Sequence, residues 1–159
     1  MSDKKVTEKI TLEHVKIIFK NFAGEEGRFN RKGARNFKVV LTKEQAEKLE
    51  DKGWYVQWPK EGHEDKNPLI KVSINFKSTV KPKVIMVTGK NKTVLDEESV
   101  SVLDSAEIDN ADLICNPYNW DTNGEFGASA YLSVGYFNCI EDEFYGKYYS
   151  DEESDDVPF

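Results

Sequence analysis

Hydrophobic and polar residues alternate along much of the chain, and this two-residue period is typical of β-strands with one buried face. The clearest case is PLIKVSINFK (68–77), in which every second residue is apolar. The same kind of pattern predicts further strands at residues 13–22, 37–41, 54–58, 84–88, 113–120 and 128–140. It also places the rings of Phe19, Phe37 and Phe76 in the core.

Two short helices are expected between these strands. Thr42 and Gln45 have the spacing of a capping box, which predicts a helix over 42–53 that ends at a glycine. Asp96 stands where it could cap a second short helix, which would continue through residue 105.

Asn123–Gly124 lies between two strand-like segments and predicts a two-residue hairpin turn. In that register Cys115 faces Leu132 and lies far from Cys139, so both cysteines are expected to be small core residues rather than a disulfide. Six or so short strands and two helices in 159 residues predict one mainly β domain, either an antiparallel barrel or a sandwich.

The charges are divided unevenly along the chain, although the net charge is only -7. Residues 1–92 contain 21 Lys and Arg against 12 Asp and Glu, whereas residues 93–159 contain 1 against 17. Two stretches, 27–43 and 66–92, together hold 13 basic residues and no acidic one. This division indicates a surface for polyanions coupled to an acidic tail. A solvated protein with an uneven surface charge is the simpler alternative.

Several classes of protein are disfavoured by what the sequence lacks. No apolar run approaches the roughly 18 residues of a membrane span, and the polar start has no apolar signal core, so neither membrane insertion nor secretion is expected. His14 and His63 stand apart from other metal-ligand residues. Phosphate-loop, dinucleotide and nucleophile-elbow motifs are absent from the sequence. We therefore expect no enzyme activity, no metal and no cofactor.

One segment resembles an enzyme motif. DLICNPYNW (112–120) is similar to the Asn-Pro-Pro-Tyr loop of adenine methyltransferases, which stacks a flipped base. However, this segment has one proline, and the chain lacks the Gly-rich turn that would bind the methyl donor. It is also too short for the doubly wound domain of those enzymes.

Single-stranded nucleic acids offer phosphates to Lys and Arg, and bases to aromatic rings. Phe29 lies in a basic loop, Tyr55 faces away from Trp54, and Trp120 stands beside the predicted hairpin turn. The expected DNA contacts are the cations Arg28, Arg31, Lys32, Arg35, Lys38, Lys71 and Lys77 and the rings Phe29, Tyr55 and Trp120.

The end of the chain changes character. From Glu141 it is acidic without apolar periodicity, so we expect a folded domain over 1–146 and a disordered acidic tail over 147–159. A tail that only aided solubility would not explain its apolar last residues. The final five residues are Asp155, Asp156, Val157, Pro158 and Phe159.

This ending resembles the C-terminal tip of bacterial single-stranded DNA-binding proteins, which is a run of acids followed by Ile-Pro-Phe. The chain differs from that tip by Val157 in place of Ile. The resemblance implies that the tail recruits replication or recombination proteins such as a polymerase, helicase or nuclease. In that family the terminal Phe enters an apolar pocket and a basic residue binds the carboxylate.

Two stretches of the body, KIIFKNFAGEEGRFNRKGARNFKVVL (16–41) and ADLICNPYNWDTNGEFGASAYL (111–132), resemble the single-stranded DNA-binding proteins of tailed phages. This resemblance implies an OB-fold barrel, with a five-stranded core, an extra hairpin and short helices, acting in the cytoplasm of a bacterial host. It also implies a non-enzymatic protein that coats single-stranded DNA with little sequence specificity during replication, recombination and repair. Two alternative functions stay open: a single-stranded RNA-binding protein, and an acidic DNA mimic that inhibits a nuclease or polymerase. The oligomeric state is open as well, and a homo-oligomer is compatible with the sequence.

Overall fold

The computed structural model describes residues 5–28, 30–63 and 65–140. Phe29, the predicted domain boundary after residue 146 and the acidic tail lie outside these described residues. The described elements are, in chain order, β1 (Ile10–Val15), β2 (Ile17–Asn21), β3 (Arg35–Val40), α1 (Lys43–Asp51), β4 (Leu69–Ile74), β5 (Lys83–Thr88), β6 (Asn91–Leu95), α2 (Val102–Ser105), β7 (Ile108–Thr122) and β8 (Glu125–Cys139).

The strands form a barrel. The sheet runs in the order β1-β7-β8-β4-β3-β2. Its two ends, β1 and β2, are separated only by Lys16, so they are consecutive halves of one bent strand and the sheet closes on itself. Counting β1 and β2 together gives a five-stranded barrel, to which the β5–β6 hairpin is attached through β8. The predicted OB-fold barrel with an extra hairpin is therefore confirmed.

β8 is the strand that joins the sheet together. Along one edge it pairs with β7 over almost its whole length. Three segments share the other edge of β8. Trp54 bridges to Ala128, β4 pairs with Ala130 and Tyr131, and β5 pairs with the residues of β8 from Val134 to Cys139. The β4 and β5 pairings are parallel, so the expectation of an antiparallel barrel is wrong in this respect. Alternation shows that a segment is a strand but not the direction of its neighbour.

The core fills the interior of the barrel. Phe22, Phe37 and Phe137 are fully buried and pack together, with ring centroids 5.3 to 5.5 Å apart. The predicted inward face of 68–77 is confirmed, because Ile70, Val72, Ile74 and Phe76 are all buried. Burial of large apolar side chains is the dominant favourable term in folding.

The predicted capping box and hairpin are also confirmed. Thr42 Oγ1 accepts a hydrogen bond from the Gln45 backbone N–H at 3.1 Å, and Gln45 Oε1 accepts one from the Thr42 N–H at 2.9 Å. The turn residues Asn123 and Gly124 have φ angles of 52° and 83°, as a type I′ turn requires.

The hairpin register places the cysteines as predicted. Cys115 pairs with Leu132, and both Cys115 and Cys139 are free thiols. Cys115 is buried and Cys139 packs partly against the core. Burial raises the pKa of the Cys115 thiol to about 12.

Phe19 corrects the predicted core. Its side chain is 68% exposed, and Phe22 occupies the core instead. The expected strand over 13–22 is divided into β1 and β2, and the pairing of β2 with β3 shifts between Ile18 and Asn21. Phe19 lies in this bulge with a φ of 52°, so the two-residue alternation is interrupted there.

Other elements differ from expectation in extent. The structure has eight described strands, because segment 13–22 forms two of them and β6, which has no clear alternation, is not predicted by the sequence pattern. β7 and β8 span 15 residues each. Segment 54–58 makes only isolated bridges, at Trp54 and Gln57. The second helix covers Val102–Ser105 only and follows a turn that the Asp96 side chain caps. Within the described ranges, no helix has the length and apolar character needed to cross a bilayer.

Candidate nucleic-acid interface

The side chains of β3, β4, β7 and β8 that point away from the core form one continuous surface, which we call the outer face. Neighbouring strands bring its members side by side: Lys38 pairs with Lys71, Ser73 with Tyr131, and Tyr118 with Ser129. The members used below are Lys38, Lys71, Ser73, Tyr118, Trp120, Ser129 and Tyr131, with Tyr55 beside them.

Two lysines stand directly opposite each other on this face. Lys38 on β3 faces Lys71 on β4, and like charges in this position destabilise a sheet. Partial burial lowers the pKa of Lys38, and the charge of Lys71 lowers it further. A bound anion would offset the repulsion between the two ammonium groups and favour their charged forms.

Four aromatic rings form a second part of the outer face, which we call the ring strip. Tyr55 packs edge-on against Trp120, and Tyr118 packs in the same way against Tyr131, with centroids 5.8 Å apart in each pair. Tyr55 and Tyr118 are 52% and 59% exposed, so their rings are accessible. Exposed aromatic rings on a strand surface suit the stacking of unpaired bases.

The indole of Trp120 is held in place by β8. Its Nε1 donates a hydrogen bond to Ser129 Oγ at 3.1 Å. The ring lies over Gly127, where an added Cβ would come within 3.0 Å of the indole Cζ2 atom. A glycine opposite Trp120 therefore leaves the space that the indole occupies.

Two clefts connect the ring strip with the basic part of the protein. The first, of about 390 Å³, is lined by Tyr118 and Tyr131 and reaches Asn75. The second, of about 360 Å³, also contains Asn75 and is lined by the cations Arg31, Lys32, Arg35 and Lys77. Because Asn75 lines both clefts, they are neighbours on the surface.

The basic loop over 24–34 connects β2 to β3 and is folded against itself. The Gly33 N–H donates to the Gly24 carbonyl at 2.7 Å, and both glycines have positive φ angles. Arg35 ties the end of this loop to the barrel, since its guanidinium donates to the Phe22 carbonyl at 2.6 Å and lies 5.8 Å from the Phe76 ring centroid. Glu97 faces it at 3.9 Å.

The predicted contacts fall into two groups. Lys38, Lys71, Tyr55 and Trp120 are together on the outer face, whereas Arg31, Lys32, Arg35 and Lys77 surround the second cleft. Arg28 is exposed on the basic loop. Phe29 lies outside the described residues.

Sequence reasoning did not select Tyr118 and Tyr131 from among the aromatic rings of the chain, and it placed Phe19 in the core. Tyr118 is two residues from Trp120 on the same strand and could have been found from the hairpin register. Tyr131 could have been found in the same way, through its pairing with Asn116. Phe19 carries no signal in the sequence, because the bulge that exposes it interrupts an otherwise regular pattern.

The chemistry available on this surface is that of binding. Lysines, arginines and aromatic rings lie on open strands and clefts, where they can contact phosphates and bases. Among the residues that the structure describes, no group of three or more His, Cys, Asp or Glu side chains could hold a metal ion.

Comparisons with known proteins agree on the class of fold. The chain resembles the single-stranded DNA-binding protein from bacteriophage Enc34, with a TM-score of 0.52 and 8% identity over 81% of this chain and 79% of that one. The structure of the Enc34 protein in complex with ssDNA also has a TM-score of 0.52, with 9% identity over 89% of this chain and 99% of that one. At such low identity the likeness shows a shared fold. A search of curated proteins gives no match.

A family model extends the likeness to the sequence. The family described as "Putative phage ssDNA-binding domain" matches residues 1–157, which is nearly the whole chain. Since the match covers the barrel with its outer face and clefts, the chain belongs to this family of phage ssDNA-binding domains.

Proposed function

We propose that this protein binds and coats single-stranded DNA with little sequence preference, and that it does so without catalysis. The observation that carries the proposal is the outer face, where exposed aromatic rings lie beside two lysines, Lys38 and Lys71, that stand directly opposite each other. Membership of the family supports it. The fold shared with the Enc34 protein, which was solved with ssDNA, supports it as well.

In this proposal the cations follow the phosphates of the strand. Lys38 and Lys71 bind phosphate at the centre of the outer face, and Arg31, Lys32 and Lys77 do so in the second cleft. Arg28 and Phe29 extend the contact along the basic loop. Arg35 acts partly by holding that loop, because its guanidinium already donates to a backbone carbonyl.

The rings bind bases without identifying them. Tyr55 and Trp120, together with Tyr118 and Tyr131, offer faces on which any base can stack, at roughly 1–3 kcal/mol per base. Reading a base requires hydrogen bonds to its edges, and the ring strip contributes mainly stacking surface. Because the rings can stack on any base, we expect the protein to have little sequence preference.

The tail gives the proposed coat a second role. We propose that the acids and the terminal Val157, Pro158 and Phe159 bind a polymerase, helicase or nuclease during replication, recombination or repair in a bacterial host. An anionic segment that carries an aromatic ring fits a basic, apolar pocket. Assembly into homo-oligomers along the strand is compatible with the same role.

The test is titration of the full chain with oligo-dT, followed by tryptophan fluorescence and by polarisation of labelled DNA. We expect saturable quenching, since Trp120 lies in the ring strip. With about 4 phosphates neutralised, affinity should fall roughly fiftyfold between 50 and 200 mM salt.

Matched lysine variants make the test specific to the outer face. K71Q should weaken binding, whereas K90Q should not, because Lys90 lies in the β5–β6 turn beside the far end of β8. No polarisation change at low salt would overturn the proposal. Stronger binding to oligo-U than to oligo-dT would replace DNA with RNA as the ligand.

A further inference from the structure

Phe19 is exposed in a conformation that folding alone does not explain. The side chain is 68% exposed on β2, the strand next to β3. Its φ is 52°, in the left-handed region, which large side chains rarely adopt. A large apolar residue at an exposed, strained position contributes little to stability, so the position of this ring calls for another reason.

The surroundings of Phe19 are cationic. The Lys38 Nζ atom lies 5.9 Å from the centroid of the Phe19 ring. Lys38 in turn pairs directly with Lys71, and Ile18, the neighbour of Phe19, pairs with Lys38. The bulge therefore presents an aromatic ring beside two ammonium groups that share one small area of surface.

We propose that Phe19, Lys38 and Lys71 form a subsite for one nucleotide, in which Phe19 stacks on the base while the two lysines bind its phosphate. This inference rests on the proposed function, but it adds a residue that neither the sequence pattern nor the ring strip includes. A phosphate between the lysines would favour the charged form of Lys38, whose pKa is lowered in the free protein by burial and by Lys71.

The subsite also extends the path of the DNA. The strand order β2-β3-β4-β8-β7 places Phe19 at one side of the outer face and Trp120 at the other, with Lys38 and Lys71 between them. A strand of DNA that crosses the barrel would thus stack at both sides of a cationic centre. Loss of either stacking position should leave the other intact.

The experiment compares two ligands, oligo-dT and an abasic oligonucleotide that has the same number of phosphates. For F19L we expect affinity for oligo-dT to fall by about 5- to 150-fold, as for the loss of one stacked base. Its affinity for the abasic strand should not change. K38Q should weaken the binding of both ligands, because phosphate is present in both.

Two further variants separate stacking from folding. F19Y keeps a ring and should bind oligo-dT nearly as wild type does. V94A removes an apolar side chain that is similarly exposed, at 75%, on the β5–β6 hairpin, and should leave both affinities unchanged. F19N should melt no lower than wild type, since Asn tolerates the left-handed region.

The outcomes are distinct. If wild type binds oligo-dT and F19L binds it equally well, or if F19L loses affinity for both ligands to the same extent, the subsite is wrong while the proposed function stands. If wild type binds neither ligand, the proposed function itself fails, and the subsite fails with it.

Discussion

At the scale of single residues, the outer face depends on small side chains as much as on large ones. Trp120 has its orientation because Gly127 leaves room for the indole and Ser129 accepts its hydrogen bond. Neither of these residues would contact DNA through a ring or a charge. Such supporting residues are neither cationic nor aromatic, but they determine whether the ring has the orientation needed to stack on a base.

A substitution at Gly127 tests this support. G127V should push the indole away from Ser129 because a Cβ there already comes within 3.0 Å of the ring. We expect a shifted tryptophan emission and a several-fold loss of affinity for oligo-dT, up to the value of one stacked base. S129A, which removes only the hydrogen bond, should have a smaller effect. Normal affinity in a G127V protein with shifted emission would show that Trp120 does not contact DNA.

At the scale of elements, the β7–β8 hairpin positions most of the ring strip. Trp120 and Tyr118 lie on β7, and Tyr131 lies on β8, so the register between the two strands sets the spacing of the rings. That register starts at the turn, where Asn123 and Gly124 both have positive φ angles. The turn would not contact the DNA through a ring or a charge, but it determines how the rings are aligned.

The two turn residues should respond differently to substitution. G124A places a Cβ at a φ of 83° and should lower the free energy of unfolding by about 1–2 kcal/mol. N123G, the matched control, keeps the turn type and should change the free energy of unfolding by less than about 0.5 kcal/mol. Urea denaturation of both variants gives the comparison. Equal stability of G124A and wild type would mean that the turn does not control the hairpin.

The strands also show which features of the fold can be predicted from the sequence. Alternation in 68–77 predicts which residues of β4 are buried, and Asn123–Gly124 predicts the hairpin pairing down to Cys115 with Leu132. Both are local signals. The parallel pairing of β4 and β5 with β8 is long-range and leaves no trace in a two-residue period.

In the candidate site, too, some features can be predicted from the sequence and others cannot. Cations and rings can be counted in the sequence, and Lys38, Lys71, Tyr55 and Trp120 do lie together on one face. The exposure of Phe19 depends on a bulge between β2 and β3, which is a property of the paired strands rather than of either segment alone. The structural work of Arg35 likewise depends on residues distant in sequence, Phe76 and Glu97.

At the scale of the whole molecule, some acids of the acidic second part of the chain, residues 93–159, support the fold. The Asp104 carboxylate accepts hydrogen bonds from the Phe22 and Ala23 N–H groups, at 2.7 and 2.8 Å. The Lys20 ammonium donates to the carbonyls of Leu103 and Ala106, so β2 and α2 are connected in both directions. The acids after residue 140 lie outside the described residues, and among them we assign Asp155 and Asp156 to partner binding.

Deletion of residues 151–159 tests that assignment. It removes five acids, so affinity for oligo-dT should be unchanged or higher, because less negative charge competes with the DNA. A V157A/F159A double variant keeps the acids and should bind oligo-dT as wild type does. Binding to the recruited enzyme should be lost in the deletion variant and in the double variant. Polarisation with labelled oligo-dT measures the first effect. Loss of DNA binding on deletion would contradict the tail proposal.

The central position of β8 has a consequence for how the chain acquires its shape during synthesis. Residues 10–124 contain the other strands that the structure describes, yet β4, β5 and β7 each pair with an edge of β8. Until residues 125–139 have left the ribosome, these strands have open edges that are prone to associate with other chains. The barrel can close only once β8 has been made, so the nascent protein has to stay protected until then.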